Sequence, residues 1–227
     1  GTIVITGLLG VLFYRFLLNP IREHPASVLL MTIALGMLLQ ELVPKFWGAL
    51  PRNLPYLIGG TTQILGVSIQ NQYLLTLGVA IVIIILLSLL LSKTRIGIAI
   101  RATAQDAEVA NLMGISVAKT LTITVGIGTA LAAVAGIFLA PLVGGLNQYM
   151  WLVPLMMVLV IVVLGGLGSL KGSYIASFFI GFVEAIVLTV LPQFTFLAEA
   201  FAMLAMVIVL IVRPQGMFGT LFEEEKL

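Results

Sequence analysis

YLLTLGVAIVIIILLSLLL, residues 73–91, contains no charged side chain and no proline. A run of this length cannot be a strand of ordinary size, and at about 1.5 Å per residue a helix made from it nearly crosses a hydrocarbon core of roughly 30 Å. The chain around it has the same character. Of its 227 residues 61% are hydrophobic and 9% charged, and the mean hydropathy is +1.22. That composition lies well outside the range of soluble domains and predicts a polytopic membrane protein. The net charge is +2, and no basic stripe with interleaved aromatics suggests a nucleic-acid partner. Cysteine is absent, which removes disulfides and thiol chemistry.

C-terminal to the run lies SKTRIGIAIRATAQDAEVANLMGISVAK, residues 92–119, a long polar segment between two apolar stretches. Lys93, Arg95, Arg101 and Lys119 place it on the cytoplasmic side, because short loops rich in Lys and Arg stay inside. From Arg101 to Met113 there is no Gly or Pro, and Gly114 stands where a helix C-terminus takes its left-handed residue, so a short surface helix is expected. Ile98, Ala102, Val109, Leu112 and Met113 supply an apolar side, and Arg101, Gln105, Asp106, Glu108 and Asn111 a polar one. Two readings follow from the residues alone: a connector resting on the headgroups, or a docking element for a soluble partner.

Toward the N-terminus, residues 44–72 are rich in Pro, Gly, Asn and Gln, with Trp47 and Tyr56 as interface anchors, and read as an external segment. The alternating stretch Gln63 to Gln70 suggests a short strand or hairpin arm. Before it, spans are expected at about Thr2 to Leu18 and Val28 to Val43, separated by a cytoplasmic turn in which Pro20 and Pro25 break the helical pattern. His24 in that turn reads as a solvated loop residue. The sequence opens on Gly1 with no charged leader, and further residues upstream are expected.

Beyond the polar segment, Thr120 to Ala140 carries Gly128, Ala132, Gly136 and Ala140 at steps of four, a stripe that lets a second helix approach closely. Pro141 to Val153 is an uncharged external turn. Residues 154–172 form either a full span or a broken helix, ending in GGLGSLKGS with Gly165, Gly166, Gly168 and Gly172. Tyr174 to Leu191 is the next span, with Ser177, Gly181 and Ala185 as a further small stripe and Glu184 beside it. Pro192 to Thr195 turns outside, Phe196 to Val212 returns, and 213–227 is a cytoplasmic tail. The fold class is therefore all-α, a polytopic transmembrane helical bundle of about seven membrane segments forming one domain over 1–227, with the start outside and the C-terminus cytoplasmic. This topology puts Arg15, Arg22, Lys93, Arg95, Arg101, Lys119, Lys171, Arg213 and Lys226 inside, against Lys45 and Arg52 outside.

Catalytic patterns are missing. The chain has no phosphate-binding Gly-Lys-Ser/Thr loop, no His-Glu-x-x-His pair, no metal-ligating cluster and no nucleophile elbow. GGLGSLKGS is read as helix packing and a tight turn. Glu184 and Glu199 are the acids deep in spans; an interface position or a hydrogen bond to a neighbouring helix accounts for each, and a proton path is the alternative.

Three stretches in order, RATAQDAEVANLMGISVAKT, VLGGLGSLKGSYIASFFIGFVEA and VRPQGMFG, resemble the inner-membrane permeases of branched-chain amino acid ABC importers. Arg101, Ala102, Asp106, Ala110, Leu112, Met113 and Gly114 match that family's cytoplasmic motif. Gly165, Gly166, Gly168, Ser169 and Gly172 match its glycine-rich motif, and Arg213, Pro214, Gln215, Gly216, Phe218 and Gly219 its ending. The resemblance implies a transport subunit in the cytoplasmic membrane with no catalytic residues and no cofactor of its own. ATP and Mg would be held by separate ATPase subunits. It also implies a second permease, a paralogue or a second copy, and an extracytoplasmic binding protein that delivers substrate. Arg101 to Met113 would be the ATPase-coupling helix, and Gly128, Ala132, Gly136, Gly165, Gly166, Gly168, Ser177, Gly181 and Glu184 would serve helix packing or the pathway. Leucine, isoleucine and valine are the implied substrates, with other amino acids, amides or urea carried by related permeases. Family members begin with further apolar segments that are absent here. An ion- or proton-coupled secondary transporter working through Glu184 and Glu199 is the alternative function.

Overall fold

The computed structural model describes residues 1–22, 24–48, 50, 52–64, 66–143, 145–166, 168–190, 193, 197–213 and 216–218. The chain packs as two compact units, 1–149 and 150–227. Five helices among the described residues are long and apolar enough to cross a membrane: Thr2–Ile21, Ala26–Trp47, Asn71–Lys93, Val117–Leu139 and Leu170–Val190. Two further apolar helices are shorter, Leu152–Gly165 and Ala200–Ile211. A helix of the former's 14 residues rises only about 21 Å, short of a core of roughly 30 Å.

The first unit begins with α1 (Thr2–Phe13), which continues into a π turn (Tyr14–Leu18) and a 3-10 turn (Asn19–Ile21). The predicted break at Pro25 is instead the first residue of α2 (Pro25–Trp47), where the missing N–H costs nothing. At its other end α2 runs through Pro44 to Trp47, past the expected limit at Val43. A proline in the last turn removes a single intrahelical bond, and the Gly48 N–H closes the helix on the Pro44 carbonyl at 2.8 Å. The segment expected to be external thus leaves the helix after Trp47 and not at 44.

The expected hairpin arm is found as an antiparallel pair, β1 (Thr61–Ile64) and β2 (Val67–Gln70), with Thr61 opposite Gln70. The turn between them lies inside the alternating stretch Gln63 to Gln70. Asn71 opens α3 (Asn71–Lys93) and fixes the hairpin to it: its N–H donates to the Gly59–Gly60 loop at the Gly60 carbonyl (3.1 Å), and its Oδ1 accepts from the Thr62 hydroxyl (2.6 Å). Gln72 is 0% exposed. Its Oε1 accepts from the Leu57 N–H (3.1 Å) and its Nε2 donates to the Phe138 carbonyl (3.3 Å), so one amide ties the segment between α2 and α3 to the far end of α6 (Val117–Leu139). Both halves of the buried amide are satisfied, as burial demands. A second tie is the antiparallel bridge between Arg52 and Leu146, with N–H···O distances of 3.2 and 2.8 Å.

Between α3 and α6 lie α4 (Arg95–Gln105) and α5 (Ala107–Leu112). The main helix–helix contact of the unit is α1 along α6. There Gly7 lies over Ala130 and Gly126, Gly10 over Thr129, and Gly126 faces Val11.

The second unit contains α7 (Leu152–Gly165), α8 (Leu170–Val190) and α9 (Ala198–Val212). Its core is Val160 and Leu164 from α7, Ala176 and Ile180 from α8 and Ala202 from α9, flanked by Met157, Ile161, Ala205, Met206, Val209 and Met217. The glycine motif is a tight turn, as expected. Gly166 and Gly168 have φ of +94° and +83°, and Ser169 Oγ accepts from the Gly172 N–H at 3.1 Å to cap α8. Gly165 and Gly172 meet backbone to backbone with no room for a Cβ on either. The turn expected at Pro192 to Thr195 falls, apart from Gln193, outside the described residues, as do Phe196 and most of the tail, Pro214, Gln215 and Gly219 to Leu227.

Candidate functional site: the α4–α5 elbow

The segment matching the cytoplasmic motif is built differently from the single helix expected over Arg101 to Met113. Helix starts at Arg95 and is interrupted at Asp106, whose backbone is extended (φ −155°, ψ 109°). Side-chain oxygens that compete for backbone donors cause both changes. Thr94 Oγ accepts from the Gly97 N–H (3.1 Å) and caps α4 one residue after α3 ends. Asp106 Oδ1 accepts from the N–H groups of Glu108 (2.8 Å) and Val109 (2.9 Å), closing α4 and starting α5.

Gly97 makes the corner possible. A Cβ there would overlap the Leu90 and Leu91 carbonyl oxygens and lie 2.5 Å from Leu91 Cα. The first turn of α4 thus rests directly on the end of α3. Nothing in the sequence singled out Gly97, because the close approach is tertiary.

Gly114 closes α5 as expected, with φ of +85°. Its N–H donates to the Asn111 carbonyl and the Ile115 N–H to the Ala110 carbonyl, both at 3.0 Å, the paired bonds of a Schellman motif. Ala110 is 3% exposed and is the buried residue of α5, which packs on α6. Leu112 and Met113 are 81% and 78% exposed, and Ile98 and Val109 are also exposed. The apolar side of the segment therefore faces outward and not onto its own unit. Arg101, Asp106 and Glu108 are exposed, and Ala102 is half-buried. The motif thus comprises a buried anchor (Ala110), a structural cap (Asp106), a left-handed terminator (Gly114) and a protruding apolar tip (Leu112, Met113).

Of the predicted small stripes Ala140 is buried, but the glycines do not form the contacts within the units. No atom lies within 4 Å of a Cβ built on Gly128, Gly136 or Gly181. Gly128, Ala132 and Gly181 are exposed. In α6 the close approach uses Gly126, Thr129 and Ala130; in α8 the buried face is Gly172, Ala176, Ile180 and Val187. Ser177 is half-buried and its hydroxyl donates to the Tyr174 carbonyl at 2.7 Å. Glu184, also half-buried, continues the Ala176–Ile180 line. The Glu199 side chain lies outside the described residues.

The model of the family described as "branched-chain amino acid transport system / permease component" matches residues 1–211. The chain belongs to that permease family. Over 225 residues it is 30% identical to the high-affinity branched-chain amino acid transport system permease protein LivH of Salmonella typhimurium, covering 96% of this chain and 72% of the relative. Against BraD of Pseudomonas aeruginosa, a permease of the same description, identity is 29% with 96% and 73% covered. A probable permease of this kind from Methanocaldococcus jannaschii is 28% identical, with 95% and 72% covered. No solved structure matches. With family and apolar helices agreeing, the chain is a multi-pass membrane transport subunit.

Proposed function

We propose that this permease is the membrane subunit of an ATP-binding cassette importer of the cytoplasmic membrane, moving branched-chain amino acids, and that the α4–α5 elbow within 93–119 is where an ATPase subunit docks. The observation carrying this reading is the protruding Leu112–Met113 tip on an elbow seated against α3 through Gly97. On a polar segment such an exposed apolar tip is the surface by which a docking element would meet its partner. Closure of the ATPase pair on ATP would move the elbow, and α3 and α6 would tilt with it. Both end states must hold the elbow for the motion to be transmitted.

In this reading α7 and α9 also lie in the bilayer, giving seven segments with the start outside and residues 213–227 inside. Exposed Gly128, Ala132 and Gly181 would then be available to a second permease, and the external segment 48–70 would receive the binding protein. ATP and Mg would be held by the ATPase subunits. Proteoliposomes containing the permease pair, its ATPases and its binding protein test the proposal. Leucine uptake is expected to need internal ATP and to persist when ion gradients are collapsed. Uptake that follows an imposed proton or sodium gradient without ATP would instead support ion coupling through Glu184 and Glu199.

A further inference from the structure

The C-terminal motif has no role in the reading above, yet it builds a definite feature. After α9 the Gly216 N–H donates to the Arg213 carbonyl (3.0 Å), and Gly216 has φ of +77°. The chain then turns back, and the Met217 and Phe218 N–H groups donate to the Leu164 (2.7 Å) and Gly165 (3.2 Å) carbonyls at the end of α7. A Cβ on Gly216 would lie 2.7 Å from the Val163 carbonyl oxygen, so the hook is seated tightly. Between hook and helix is a cavity of about 360 Å³ lined by Ile208, Val209, Arg213, Met217 and Phe218. Ile208 and Phe218 are 54% and 46% exposed, so the cavity opens outward.

We infer that this cavity holds an anionic phospholipid, with an acyl chain on the four apolar side chains and the phosphate on the Arg213 guanidinium. The complementarity has two parts. Four of the five lining side chains are apolar and continue the exposed surface of an apolar helix, where Ile211 is 77% exposed. The fifth is Arg213, just after the helix end, whose planar guanidinium suits phosphate oxygens bidentately. Basic sites at the inner ends of membrane helices are suited to anionic headgroups. The inference rests on α9 lying in the bilayer and not on ATP-driven transport, so the two can fail separately.

Native mass spectrometry of the intact purified permease, titrated with phosphatidylglycerol or phosphatidylcholine, tests it. Wild type is expected to retain one phosphatidylglycerol at this site, about fivefold more tightly than phosphatidylcholine, the ratio that one cation near a charged membrane surface provides. Arg213→Gln should abolish that preference, Arg213→Lys should keep most of it, and Lys171→Gln, another inner cation, should leave it intact. Ile208→Trp, at an exposed lining position outside the core, narrows the cavity and spares the guanidinium; it should lower retention of both lipids and serves if Arg213→Gln fails to reach the membrane. Undiminished preference in Arg213→Gln overturns the inference. So does displacement of the lipid by millimolar inorganic phosphate, or loss from Arg213→Gln of a protein subunit with lipid retention unchanged.

Discussion

Gly97 and Gly114 lie seventeen positions apart and serve different constraints. At Gly97 the constraint is space, since a methyl group would enter the backbone of α3. Gly97→Ala should therefore destabilise the purified permease by about 1–3 kcal/mol, the usual cost of overpacking, seen as a lower midpoint of thermal unfolding in detergent. At Gly114 the constraint is the left-handed backbone alone, because no atom lies within 4 Å of an added Cβ. Gly114→Ala should cost about 1–2 kcal/mol and Gly114→Asn distinctly less, since Asn tolerates that region. Equal losses from Ala and Asn would show that the backbone conformation is not what selects glycine. Gly114 was legible in the sequence because a glycine after a helical run is a local signal. Gly97 was not, because its neighbours come from a different helix.

At the scale of the element, the α4–α5 elbow depends on its two caps. Asp106→Ala removes the acceptor of two N–H groups and should loosen α5 by about 0.5–2 kcal/mol. Hydrogen exchange should report this as faster exchange over residues 107–112 with α6 unchanged. Unchanged protection there would mean that the contact of Ala110 with α6, and not the cap, holds α5. The cap could have been read from the sequence, since Asp followed by helix formers is a start signal; the absence of Gly and Pro from Arg101 to Met113 concealed it. The stripes show the opposite limit. Gly128, Ala132 and Gly136 do share a helical face, but periodicity says which residues lie together and not which face meets α1. The contact falls on Gly126, Thr129 and Ala130 instead.

At the scale of the whole molecule, hydropathy made five long helices legible, since length and composition alone define them. The short α7 depends on a glycine turn whose depth no hydropathy plot reports, and the amide tie of Gln72 had no sequence signal. Orientation can be read directly because the chain has no cysteine. A membrane-impermeant thiol reagent should label Ser68→Cys in the hairpin from outside intact cells and label Ala107→Cys only after the membrane is opened. The reverse pattern would invert the proposed topology.

The central claim is that the Leu112–Met113 tip receives the ATPase. Its most direct test is co-purification of the tagged permease with its ATPase subunits, comparing wild type with Leu112→Asp. Because Leu112 is 81% exposed, the variant should reach the membrane at the wild-type level. The ATPase should come down with wild type and be reduced at least about tenfold with Leu112→Asp, as for a lost interface anchor. Full retention of the ATPase by Leu112→Asp would contradict the account.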